Sequence, residues 1–164
     1  MISRLLFYLG VVWRNPSLSK SMKELMQTDF ASLDDLKKIQ EKKLHKLLNI
    51  AFEKSPYLKE KYFAAGVKRE DIKSIADLVK LPVIDKDELR INSSSINSTI
   101  KFKKIFLSET SGTSGQPLKF NKNEEWDSIN RAAMFRGYSW YGVKPWDKNG
   151  YFWGYNIDIK SQKK

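Results

Sequence analysis

Apolar side chains in the first part of the chain recur at helical rather than alternating intervals. Leu5, Leu6, Phe7, Tyr8, Leu9, Val11, Val12 and Trp13 form a nearly unbroken run behind Arg4, too short to span a bilayer. Trp13, Arg14, Asn15 and Pro16 lack the small residues of a signal-peptide cleavage site. Two readings stay open: a helix packed on the body of the protein, or an interfacial anchor whose Arg4, Arg14, Lys20 and Lys23 meet acidic head groups. Ser32 and Asp35 have capping-box spacing before Leu33, Leu36, Leu44, Leu47, Leu48 and Ala51, which predicts one amphipathic helix with lysines on its other face. His45, among Lys42, Lys43 and Lys46, is expected on that solvated side. Ser55 and Pro56 restart a helix through Tyr57, Leu58, Tyr62 and Phe63, and Gly66 supplies a left-handed stop. Residues 74–79 read as a short helical turn. Asp85 with Glu88 three residues on starts another helix before Leu89 and Ile91. N-capping and the helix dipole account for Asp85, Asp87 and Glu88 without catalytic work. Residues 92–99 read as an exposed loop rich in Ser and Asn.

The pattern then changes. Lys104, Ile105, Phe106 and Leu107 make a short strand, residues 108–117 a loop, and Leu118 to Phe120 a second strand-like run. Asn123 caps a helix through Trp126, Ile129, Ala133 and Trp140, with Gly142 near its end. Helical spacing makes Trp126 and Trp140 expected core residues. Residues 150–154 read as a buried strand. The predicted fold class is α/β: a helical region at 1–91, then the beginning of an α/β portion at 92–164 with an incomplete sheet. Its apolar strand edges at 104–107 and 151–153 lead us to expect self-association of this chain.

Composition narrows the chemistry. The 164 residues are 41% hydrophobic and 30% charged, which suits a globular protein. Lys and Arg exceed Asp and Glu by 30 to 19, so anionic partners are favoured. The excess is shared between halves, +6 for residues 1–82 and +5 for 83–164, as a general surface property and not a basic tail. Cysteine is absent, which removes disulfides and thiolate chemistry and suits a cytoplasmic location. A single histidine removes most metal and triad constellations.

The most unusual stretch is Ser108-Glu-Thr-Ser-Gly-Thr-Ser-Gly-Gln-Pro117. Gly112 and Gly115 can take positive φ, letting successive backbone N–H groups turn inward as an anion nest. Thr110, Ser111, Thr113 and Ser114 add hydroxyl donors, and Lys119 can add a cation. Donors without carboxylates suit phosphate oxygens. The Walker pattern is a poor match, because no Lys follows Gly115 directly. A hairpin loop without a ligand is the other reading of the composition.

The string Thr110-Ser-Gly-Thr-Ser-Gly-Gln-Pro117 resembles the phosphate loop of the adenylate-forming superfamily. Many members place Lys directly after the Pro, where this chain has Leu118 and then Lys119. Leu81-Pro-Val-Ile-Asp-Lys-Asp-Glu-Leu-Arg90 and Asn49-Ile-Ala-Phe-Glu-Lys-Ser-Pro-Tyr-Leu58 are similar to segments of the phenylacetate-CoA ligase and CapK branch, the latter named for capsular polysaccharide biosynthesis. The resemblance implies an amino-terminal fragment of an AMP-forming ligase that uses Mg-ATP and a carboxylic acid, with a thiol such as CoA as one acyl acceptor it allows. It also implies that Thr110, Ser111, Gly112, Thr113, Ser114 and Gly115 hold phosphates, with no protein metal site and no activity from this stretch alone. Later motifs of the family and its lid lysine would lie beyond Lys164. The alternatives are a basic module binding nucleic acid or an acidic membrane, and a scaffold domain without a small ligand. Nucleic acid is not expected, whereas peripheral contact with the inner face of a membrane through residues 4–23 is left open.

Overall fold

A computed structural model describes residues 2–110, 117–148 and 150. Among these described residues six α-helices and one hairpin follow in the order α1 (Ile2–Arg14), α2 (Leu18–Met26), α3 (Leu33–Lys54), α4 (Pro56–Ala64), α5 (Lys86–Ile91), β1 (Ile105–Glu109), β2 (Lys119–Asn123) and α6 (Glu124–Ser139). Short 3-10 turns at Arg69–Asp71 and Ile75–Lys80 lie between α4 and α5.

Polar residues predicted as caps act as caps. Ser32 accepts from Asp35 N–H, Ser55 from Leu58, Asp85 from Glu88 and Asn123 from Trp126, each satisfying an N–H that has no partner within its helix. Gly66, at φ 68°, ends α4: its N–H donates to Phe63 and that of Val67 to Tyr62, so a left-handed residue closes the last turn. Ser55, 3% exposed, also donates to the Ile96 carbonyl at 2.8 Å, tying the α3–α4 corner to the loop after α5. Glu88 accepts from both the Tyr57 hydroxyl and the Lys61 ammonium, so it cross-links α4 to α5 beyond any capping role.

One core lies where α1 and α2 pack against α6, with Val11, Leu18, Ala132 and Phe135 at its centre and Phe7, Met22 and Leu25 around it. Phe7 meets Phe135 edge-on at 5.7 Å. Outside this core Leu48 and Ala51 of α3, Tyr62 of α4 and Ile72 after the first 3-10 turn are buried, with Phe52 stacked on Tyr62 at 4.7 Å.

Several expectations are corrected. Trp126 and Trp140 are 47% and 63% exposed, because α6 instead buries the face of Glu124, Asp127, Ser128, Ala132 and Phe135. Lys122 stands over the Trp126 ring at 5.2 Å and Arg136 over Trp140 at 5.4 Å. His45 is half-buried, not freely solvated: Arg69 reaches back from the first 3-10 turn and places a guanidinium nitrogen 2.8 Å from His45 Nδ1. On α3 only Leu48 and Ala51 are buried, while Leu33, Leu36 and Leu47 stay exposed. The two described strands pair antiparallel. Adjacent strands joined by so short a connection can pair in no other way, since a parallel pair needs a crossover of about a dozen residues or more. The strand expected at 150–154 lies outside the described residues beyond Gly150.

Candidate functional site

The hairpin presents the loop of interest. Its register pairs Ile105 with Asn123, Phe106 with Lys122, Leu107 with Asn121, Ser108 with Phe120 and Glu109 with Lys119. Cross-strand partners share a face, so Lys119 stands on the same side as Glu109. Thr110 then closes the neck. Its N–H donates to the Leu118 carbonyl at 3.0 Å, and its hydroxyl oxygen accepts from Leu118 N–H at 3.0 Å. This clasp leaves the Thr110 hydroxyl proton free to donate. Of the other predicted site residues, Ser111, Gly112, Thr113, Ser114 and Gly115 lie outside the described residues.

β2 runs straight into α6, and a buried polar network holds that junction. Asp127, 2% exposed, accepts from Asn15 Nδ2 at 2.9 Å and from Arg131 Nε at 2.9 Å, and pairs with Lys122 of β2 at 2.9 Å. Glu124, 6% exposed, accepts from the Ser17 N–H and hydroxyl and from the Ser128 hydroxyl. Burial alone would raise the Asp127 carboxyl, yet the hydrogen bonds from Arg131, Asn15 and Lys122 and the Arg131 charge outweigh it. They hold Asp127 well below the usual carboxylate range. Glu124 is lowered in the same way: its burial is overcome by Ser128, Ser17 and the Lys104 charge. Sequence reasoning missed this network because acids in a first helical turn are already explained by the dipole. The visible signal was the polar Asn15-Pro16-Ser17 break directly after an apolar run, whose Asn15 is 3% exposed.

Two hollows of about 330 Å³ each flank β2. Lys119 and Asn121 line one with Ser93, Ser94 and Asn97 opposite, while Asn121, Lys122 and Trp126 line the other with Asn97 and Ser98. Their walls are hydroxyl, amide and ammonium groups over apolar floors, without a carboxylate. Among the described residues no group of three or more His, Cys, Asp or Glu can hold a metal, and no helix is long and apolar enough to cross a membrane.

No family model matches the chain. It is 30% identical over 132 residues to a phenylacetate-coenzyme A ligase of Escherichia coli (strain K12), covering 77% of this chain and 29% of that one. To a phenylacetate-coenzyme A ligase of Aromatoleum evansii it is 32% identical over 103 residues, covering 62% and 23%. The chain therefore spans less than a third of the length of these curated relatives. An alignment over 77% of 164 residues must include residues 39–126, so the similarity to the first relative runs through the hairpin and its loop. With that similarity behind the loop motif, the chain is phenylacetate-coenzyme A ligase-like, and its relationship is to the adenylate-forming enzymes.

Proposed function

We propose that residues 110–115 hold the phosphates of ATP as the phosphate-binding part of an AMP-forming, carboxylate-activating ligase of the phenylacetate-CoA ligase and CapK branch. A carboxylate oxygen of the substrate attacks the α-phosphorus, an acyl–phosphate bond forms, and the α–β bridge breaks to release pyrophosphate. A thiol such as that of CoA then takes the acyl group and AMP leaves. The work of these residues is electrostatic: hydroxyl and N–H donors fixed before the reaction meet the charge that grows on the departing pyrophosphate. Magnesium, held mainly by the phosphates themselves, needs few protein ligands. The observation that carries this reading is the loop motif on a hairpin neck clasped by Thr110 and Leu118, within the region aligned to the E. coli ligase.

Calorimetric titration of the 164-residue chain with ATP, and separately with pyrophosphate, tests it. Binding is expected to weaken tenfold or more in a Thr113→Ala/Ser114→Ala variant, as two hydrogen bonds to charged oxygens of about 1.5–3 kcal/mol each are lost. Absence of ATP binding at millimolar concentration, or an affinity unchanged in the variant, overturns the reading. Because the match covers 29% of the relative, these residues are assigned the phosphate-holding share only, and pyrophosphate exchange by this chain alone is expected at background.

A further inference from the structure

Helix α1 has two apolar faces, of which the protein uses one. Phe7 and Val11 turn inward to the α6 core. Ile2, Leu5, Leu6, Leu9, Val12 and Trp13 face away, each 59% to 77% exposed. At about 100° per residue these six fall within an arc of roughly 120°, a continuous stripe where a helix on a soluble surface carries polar residues. A contiguous apolar patch of this kind marks an interaction surface.

Arg4 lies over the Tyr8 and Trp146 rings and Arg14 over Phe106, each about 140° from the centre of the stripe, so it is the charge of the whole surrounding segment that selects the partner. Residues 1–23 contain Arg4, Arg14, Lys20 and Lys23 and no Asp or Glu; the first acid, Glu24, stands 3.9 Å from Lys20. At the carboxyl end of the stripe Trp13 shares a shallow hollow with Arg14, Lys104 and Phe106, and the Lys104 ammonium donates to the Trp13 carbonyl. Lys101 and Lys103, both exposed, directly precede Lys104 in sequence. A second copy of the chain would bring the same basic segment and a net charge of +11 against this one, whereas an anionic lipid surface neutralises it. At about 1.5 Å per residue the 13-residue helix is roughly 20 Å long, short of the ~30 Å hydrocarbon core, so it fits in the plane of a bilayer surface and not across it.

We infer that α1 is a membrane-surface helix: its outer stripe enters the head-group boundary of an anionic bilayer while exposed lysines of the surrounding segment are drawn to lipid phosphates. This inference is independent of the phosphate-loop reading.

Flotation of the 164-residue chain with vesicles tests it, since aggregates do not float. With 30% phosphatidylglycerol in phosphatidylcholine, binding is expected at least tenfold tighter than to phosphatidylcholine alone, and weaker as salt rises. Leu5→Ser/Leu9→Ser is expected to lower binding about a hundredfold, and Lys20→Gln or Lys23→Gln about fivefold each. All four positions are exposed, so the variants keep the wild-type circular dichroism and melt. Equal flotation with both lipids, or a serine variant that floats like wild type, overturns the inference. So does a chain that stays unfloated while the serine variant lowers its sedimenting mass, which would assign the stripe to contact between copies.

Discussion

Asp127→Asn removes one charge from the junction that holds α6 to β2 and to the α1–α2 turn. Asp127 is met by Arg131, Asn15 and Lys122, all at 2.9 Å, and its side chain is 3% exposed. Breaking a fully buried ion pair costs about 3–5 kcal/mol. Here Lys122 and Arg131 are 21% and 38% exposed and recover water when the charge is lost, so the expected cost is lower, about 2–3 kcal/mol. With a urea slope near 2 kcal/mol per molar, the unfolding midpoint drops by about 1–1.5 M with unchanged slope. The pH dependence carries the sign. The carboxyl is depressed on folding, so its contribution is complete above the unfolded value near 3.9 and is lost as pH falls toward the folded value. The deficit of the variant therefore shrinks, by about 1 kcal/mol between pH 7 and pH 3. A midpoint within 0.2 M of wild type at pH 7, or a deficit that stays constant down to pH 3, would refute the role given to this network.

Thr110→Val deletes the hydroxyl that accepts from Leu118 N–H, so the amide of Leu118 is expected to exchange at least tenfold faster in hydrogen-exchange measurements, with about 1 kcal/mol lost overall. Ser55→Ala removes both the α4 cap and the bond to Ile96 and is expected to cost about 1–2 kcal/mol by urea titration. Gly66→Ala meets no atom within 4 Å, so its expected loss of about 1 kcal/mol in thermal melts comes from placing an alanine at φ 68° alone.

Local chemistry was the legible part of this sequence. Ser32, Ser55, Asp85 and Asn123 announce helix starts because each satisfies donors within its own next turn, and Gly66 announces a stop through its own backbone. The site loop was found the same way, as a string of small donors between two short strands. Choices made by distant partners were not legible. Trp126 and Trp140 share helical spacing with true core residues, but α6 turns Asp127, Ser128 and Ala132 toward α1 and α2, because Asn15 and Ser17 wait there with unmet polar groups. His45 sits in a run of lysines and gives no sign that Arg69, 24 residues on, will fold back over it.

The long separation between partners also sets an order of events. Asn15 bonds Asp127 across 112 positions, and Phe7 finds Phe135 at a similar remove. At synthesis rates of about 5–20 residues per second, α1 is complete for roughly 5–25 s before α6 exists to receive it. The Ser55 corner closes on Ile96 over 41 positions, so the α3–α5 group can settle within that interval. Among the described helices α1 is the one whose inner face waits longest for cover, and a nascent chain shows both of its apolar faces to whatever lies near the ribosome.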